Sequence, residues 1–233
     1  MPNPLFGHYS LLLNLREPWE VASVDLQVEH SRVEIQVEHG RSKSCCPECA
    51  NLCRIKDHGP QRQWRHLDTM NFETIIKCRI PRTNCQDCGV KTVAVPWAEK
   101  HSRFTLMFEA FAIAVLQAAR LLDAGRQLLG LSWDSANTII KRAVDRGLAL
   151  RDDTEVSRAG IDEKNFLRGH SYITLLNDLD QGRVLDVVPE RTEKACRELL
   201  MKGLPTDWSR FKVEAVAMDM WPAFRTATED LLE

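Results

Sequence analysis

Two cysteine knuckles, Cys46-Pro47-Glu48-Cys49 and Cys85-Gln86-Asp87-Cys88-Gly89, stand 35 residues apart across a basic, strand-like stretch. Together they supply the four soft ligands of a closed tetrahedral zinc site. Pro47 inside the first knuckle and Gly89 after the second suit tight turns that aim backbone amides at thiolates. A single C-x-x-C is shared with redox motifs, whereas two at this spacing point to structural zinc. Cys45, Cys53, His58 and His66 are the alternative ligands, with Cys45 able to replace Cys46 by a one-residue shift. Cys78 and Cys196 lie on apolar-patterned segments and read as small core residues.

A second chemistry is offered by two aspartates. Asp162 ends or interrupts a short strand in Ala159-Gly160-Ile161-Asp162-Glu163. Asp219 ends a strand over 213–218 whose run Ala215-Val216-Ala217-Met218 implies burial on both faces. If these strands are neighbours, two carboxylates emerge together, and like charges at short range call for a cation. Hard divalent ions such as magnesium take oxygen ligands, and an ion pair about 3.5–4 Å apart can activate a nucleophile and stabilise the leaving oxygen of a phosphodiester. The competing reading, strand-end aspartates that cap turns, is the stronger one on spacing alone. Glu163 should point away from Asp162 and is a second-choice ligand. Asp180 and Asp186 flank the Gln181-Gly182 turn and read as turn residues.

The elements that must position these groups follow from periodicity. Residues 21–29 and 32–38 alternate apolar and polar, predicting a hairpin turning near His30-Ser31 with Val24, Leu26, Val28, Val33, Ile35 and Val37 buried. Residues 72–80 between the knuckles and 91–95 just after the second predict short strands, with Trp64-Arg65-His66-Leu67-Asp68 on the connection. So small a module would owe much of its folding free energy to metal. Helical spacing predicts helices over 104–119, 121–129 and 133–148, the last N-capped by Ser132 after Gly130-Leu131. A short helix, a Gly-containing turn and a capped helix make the helix-turn-helix pattern, although plain bundles share it. In such a motif the third helix presents Ser135, Asn137, Thr138, Lys141 and Arg142 to DNA. Asn137 suits adenine, Lys141 and Arg142 suit phosphate or guanine, and Ile139, Ile140, Ala143 and Val144 include core positions. The alternative for each polar residue is simple surface exposure. Residues 151–158 read as a linker. A strand near 159–162, a hairpin over 171–188, a helix over 193–201 and a strand over 213–218 then suggest a mixed sheet covered by helices.

The net charge of −2 conceals a strong division. It is −4 over residues 1–40, +6 over 41–103, +2 over 104–151 and −6 over 152–233. Positive charge thus gathers around the knuckles and the predicted helices, and local charge governs phosphate attraction because salt screens fields beyond about 10 Å. No apolar run reaches the ~18 residues of a membrane span, and no basic-then-apolar leader opens the chain. Clustered thiols without a leader fit a reducing cytoplasm better than a disulfide scaffold.

In this order the motifs resemble one known family. The Cys-Pro-Glu-Cys knuckle, Trp64-Arg65-His66-Leu67-Asp68, Asn84-Cys85-Gln86-Asp87-Cys88-Gly89, Leu129-Gly130-Leu131-Ser132-Trp133-Asp134, Gly160-Ile161-Asp162-Glu163 and Ala217-Met218-Asp219-Met220-Trp221 together look like the N-terminal part of an ISL3-family insertion-sequence transposase. The resemblance covers roughly residues 40–233. Together with the hairpin read from alternation as an N-terminal segment (1–40), it implies a multidomain α+β and α/β protein: a zinc-ribbon-like module (41–98), a three-helix helix-turn-helix (99–150) and an incomplete RNase-H-like mixed sheet (151–233). It implies double-stranded DNA, the transposon terminal inverted repeats, as partner, with a homo-oligomer assembled on that DNA and a bacterial, cytoplasmic, nucleoid-associated setting. By motif match Asp162 and Asp219 are the first two members of an Asp, Asp, Glu triad that binds magnesium or manganese. The third, a Glu on a downstream helix, has no counterpart here. Glu229 and Glu233 follow Asp219 too closely, and 226–233 reads as a helix cut before its C-cap, so a truncated and inactive chain is expected. The alternatives are a DNA-binding regulator derived from a transposase and a zinc-module adaptor that binds protein.

Overall fold

A computed structural model of the protein describes residues 4–150, 155–167 and 171–232. Two units divide the chain near residue 150. The first contains α1 (Pro4–Leu12), β1 (Trp19–Gln27), β2 (Arg32–His39), β3 (Lys43–Cys45), β4 (Leu52–Arg65), β5 (Glu73–Cys85), β6 (Gly89–Thr92), α2 (Leu106–Ala118), α3 (Leu122–Leu128) and α4 (Trp133–Ala149). Its strands form one sheet in the order β1-β2-β5-β4-β3, with β6 paired to β5.

The hairpin and the knuckle-bearing strands therefore share a sheet instead of forming separate segments. Parallel pairing sets Val33, Ile35 and Val37 beside Thr74, Ile76 and Cys78, a row in which every residue is at most 1% exposed. Trp64 lies opposite Ile76 on the next strand and stacks edge-on against Trp97, which meets Trp19 in the same way. Tyr9 and Leu13, from α1 and just beyond it, close this core. Burial on β1 differs from the alternation. Trp19 and Val21 are buried, whereas Leu26 and Val28 are 57% and 65% exposed. An irregularity between Val21 and Ser23 shifts the register, and β1 is an edge strand whose far end outruns its cover. The long strand β4 is also absent from the sequence expectation. Apart from Trp64 it has no buried residue, so it carries little apolar alternation to read.

The three helices lie close to their expected bounds. Thr105 caps α2 by accepting from the Phe108 amide at 3.2 Å. Gly125 of α3 sits against α2 so closely that a Cβ would lie 3.1 Å from both Ala119 and Leu116 side chains. Gly130 then turns the chain with φ +63°, a backbone region open mainly to glycine. Ser132 accepts from the Ser135 amide at 3.2 Å, the expected cap. Phe104, Phe108, Ala112, Leu116, Leu129, Leu131, Ala136 and Ile139 make the core, with Leu67 packed against it. Val144, expected inside, is 52% exposed.

The second unit contains β7 (Arg158–Leu167), β8 (Ser171–Asp178), β9 (Arg183–Pro189), α5 (Glu193–Gly203), α6 (Asp207–Phe211), β10 (Ala215–Met218) and α7 (Pro222–Leu232). An antiparallel meander β7-β8-β9 is followed by a helical crossover that returns β10 parallel to β7, giving the order β10-β7-β8-β9. Ala159, Ile161, Leu176 and Leu185 pack with Cys196, Leu199, Leu200 and Phe224 of α5 and α7. The expectation that β10 is buried on both faces is corrected: Ala215 and Ala217 are exposed, because β10 is an edge strand covered only on its Val216 and Met218 side. Part of the expected linker, 151–154, and the terminal Glu233 lie outside the described residues.

Candidate metal centre and nucleic-acid interface

The knuckles meet because β3 leads into Cys46 while β5 and β6 pair as a tight hairpin around Cys85 and Cys88. The Sγ atoms of Cys46, Cys49, Cys85 and Cys88 all lie within 4.8 Å of one another, and Cys49 and Cys85 are 3.5 Å apart. Zinc–sulfur bonds of about 2.3 Å place tetrahedral sulfurs about 3.8 Å apart, so the donor set fits zinc. Within the second knuckle the Cys88 amide, and then the Asp87 amide, hold the Cys85 thiol down at about 6 against desolvation, whereas the neighbouring Cys49 thiol, and then burial, push Cys88 up. Asn51 Nδ2 donates to Asp87 at 3.1 Å and Lys91 pairs with Glu48 at 2.7 Å, tying the two knuckles together. Of the alternatives, Cys45 is exposed and Cys53 donates to the Asn51 carbonyl at 3.3 Å. Burial, the largest cause, pushes the Cys53 thiol up to about 11. His58 is exposed on β4, and His66 is engaged elsewhere. Cys78 and Cys196 are fully buried core residues.

Trp64-Arg65-His66-Leu67-Asp68 joins the sheet to the helices residue by residue. Trp64 belongs to the sheet core and Leu67 to the helical one. Arg65 accepts from the Thr105 amide and donates its own amide to Arg103, each at about 3 Å. Its guanidinium lies over the Phe108 ring at 5.2 Å and pairs with Asp68 and Glu73. His66 Nδ1 lies 2.9 Å from Thr105 Oγ1, the hydroxyl that caps α2. Burial, and secondarily the neighbouring Arg65 charge, lowers the His66 pKa to about 4.

On α4 the five expected DNA-facing residues divide. Asn137, Thr138 and Lys141 are exposed, although Thr138 donates its hydroxyl to the Asp134 carbonyl. Ser135 is 9% exposed and bonded to Ser132 within the cap, so it is withdrawn from solvent. Arg142 faces α2. It meets Glu109 at 3.5 Å and Glu99 at 3.8 Å, while Arg146 meets the same carboxylates at 2.8 and 2.7 Å. Glu109 is 1% exposed and also accepts from Ser102. Sequence reasoning missed this network because Glu109 sits inside an apolar helical run and its arginine partners are 33 and 37 residues away.

In the second unit, the β10–β7 register ends on Met218 opposite Ile161. The next residues in that register are Asp219, just past β10, and Asp162, which does not end its strand as expected because β7 stays paired to β8 beyond it; both are exposed. Each accepts from the amide of its successor, Asp162 from Glu163 at 2.8 Å and Asp219 from Met220 at 2.7 Å. One oxygen of each carboxylate has no hydrogen bond among the described residues. Glu163 turns to the other face and pairs with Arg191 at 2.9 Å. Asp180 pairs with Arg158, which holds its carboxyl below the usual range. The buried Asp178, which sequence reasoning passed over, accepts from the Asp180 and Gln181 amides and shapes the β8–β9 turn. No helix among the described residues is long and apolar enough to cross a membrane.

Comparison with known proteins matches these parts in the same order. Residues 42–88 match the zinc-finger of transposase IS204/IS1001/IS1096/IS1165, residues 93–144 match the helix-turn-helix domain of transposase family ISL3, and residues 159–233 match the ISL3 transposase model itself. The transposase for insertion sequence element IS1557 of Mycobacterium tuberculosis is 33% identical over 146 residues, covering 62% of this chain and 33% of that protein. The transposase for insertion sequence element IS1001 of Bordetella parapertussis is 24% identical over 204 residues, covering 83% and 50% respectively. The chain thus spans between a third and a half of the length of these curated relatives. With a four-cysteine zinc ribbon, a helix-turn-helix and a transposase-model match in sequence, the chain belongs to the ISL3 family of insertion-sequence transposases.

Proposed function

We propose that the chain reads transposon-end DNA through its first unit and carries, in its second, two carboxylates of a divalent-metal phosphodiester site of RNase-H type. The observation that carries the reading is the register that brings Asp219, just past the end of β10, level with Asp162 inside β7. An antiparallel meander returned by a helical crossover to a parallel strand supports the RNase-H-like assignment. Magnesium or manganese, held there, would supply the Lewis acidity that activates water and stabilises a leaving 3′ oxygen. The protein's own part is to present Asp162 and Asp219 with one oxygen each uncommitted, each fixed by the amide that follows it. In the first unit Asn137 and Lys141 are the exposed candidates for base edges and phosphate on α4, and zinc holds the ribbon that braces it.

A second reading is favoured by one observation. Among the described residues, no third carboxylate, histidine or cysteine joins Asp162 and Asp219 within ligand distance. That supports a chain that occupies transposon ends without cutting them, a regulator in place of an enzyme. Titrating the 233-residue chain onto an inverted-repeat duplex across salt tests the DNA reading. Binding should weaken steeply with salt, and Lys141→Ala should lower the log–log slope by about 0.9. Salt-insensitive or absent binding would favour the protein-binding adaptor. Robust magnesium-dependent cleavage of that duplex would exclude the regulator.

A further inference from the structure

Arg191, on the connection between β9 and α5, touches three elements around the carboxylate edge. Its guanidinium pairs with Glu163 Oε1 at 2.9 Å. The same group lies 4.1 Å from the Tyr172 ring centroid and 4.8 Å from that of Trp221. Its backbone carbonyl accepts from Trp221 Nε1 at 3.2 Å. One residue therefore grips β7 one position past Asp162, β8 at Tyr172, and the β10–α7 turn two positions past Asp219.

Those grip points matter because of what orients the aspartates. Asp162 is held by the Glu163 amide, and Arg191 anchors Glu163. Asp219 is held by the Met220 amide, and Arg191 anchors the adjoining Trp221. We propose that Arg191 is the positioning residue of the Asp162–Asp219 pair: it locks the middle of β7 and the end of β10 in one mutual arrangement, so that both free carboxylate oxygens converge on a single divalent cation. A guanidinium suits the task because it is flat enough to stack on both rings while its fork meets a carboxylate. Adjacent residues of a strand point to opposite faces, so Arg191 lies across the strand from Asp162 and touches no metal itself. Its charge also offsets the crowding of Asp162, Glu163 and Asp219.

The inference rests on the metal-site reading above, and the test separates the two. Mn2+ binding to the full zinc-loaded chain is followed by electron paramagnetic resonance, with the thermal midpoint measured on the same samples. Asp162→Asn should abolish the bound Mn2+ signal. Arg191→Ala alone strands the Glu163 carboxylate, whose second oxygen is already buried without a partner, so the informative variant is Glu163→Gln with Arg191→Ala. That pair removes the charge mismatch and keeps the fold, and it should weaken Mn2+ binding by about tenfold or more, the range seen when groups orienting metal ligands are lost. Arg191→Lys, which keeps the charge and loses the double stack, should weaken it too. Wild-type affinity in the double variant, with Asp162→Asn still null, would overturn the role of Arg191 and leave the metal site standing. Mn2+ binding unaffected by Asp162→Asn would overturn the metal site, and Arg191's role with it.

Discussion

Acidification should loosen the joint between the ribbon and the helices through His66. His66 Nδ1 shares a hydrogen bond with Thr105 Oγ1, the hydroxyl that caps α2. A protonated ring would carry a charge at 7% exposure beside Arg65. The folded pKa is about 4 against 6.5 for a free histidine. The unfolded chain therefore takes up its proton first, and stability is full above about pH 6.5 and falls as pH drops toward about 4. The linkage removes about 1.4 kcal/mol by about pH 5.5 and approaches roughly 3 kcal/mol below about pH 4. Zinc thiolates and paired carboxylates also respond to acid, so the measurement is a difference. Urea unfolding of zinc-saturated protein is compared at about pH 7.5 and about pH 5.5, for wild type and for His66→Asn, whose neutral amide can bond the Thr105 hydroxyl without titrating. Wild type should lose about 1.4 kcal/mol more than the variant. Parallel losses in the two proteins would refute the reading of His66 as a neutral, buried imidazole.

Two further outcomes concern the first unit. The purified chain should carry about one zinc per molecule, and Cys85→Ser should lose both the metal and the cooperative unfolding of the ribbon; elemental analysis showing full zinc in that variant would move the site to other ligands. Glu109→Ala should cost about 2–3 kcal/mol in urea unfolding, below the ~3–5 kcal/mol typical of a severed buried pair because Arg142 and Arg146 keep partial access to water. Unchanged stability would mean that the arginines find other partners.

The helices were legible because their signals are local. Ser132 caps within three residues, Gly130 marks its turn, and apolar spacing along α2 to α4 repeats at a fixed period. The thiol cluster was legible for the same reason, since each knuckle is a self-contained turn and only their meeting needed the sheet. The side of a helix that faces inward was harder to read. Ser135 and Arg142 sit where an exposed recognition surface would place them, yet a cap hydroxyl and a buried glutamate on another helix draw them in. β4 escaped notice because a polar ribbon strand has no buried stripe, and its identity comes from pairing with β5. Asp219 follows the end of β10 as its apolar run suggested, whereas Asp162 lies inside β7, whose polar second half hides its continuation, and only the crossover that returns β10 to β7 makes the two neighbours. Arg191 had no signal at all, because its three grip points lie 19 to 30 residues away in the chain.

The segment from Trp64 to Asp68 makes the ribbon and the helix-turn-helix a fork with a fixed gap instead of two tethered hands. Any duplex engaged by both prongs must offer its two contact patches at one angular offset around the helix axis. Inserting about five base pairs between those patches would rotate one of them to the far side, since a turn takes about 10–10.5. A flexible tether would forgive such an insertion. The fork cannot, so for any duplex that both prongs engage, spacing would count as much as base sequence.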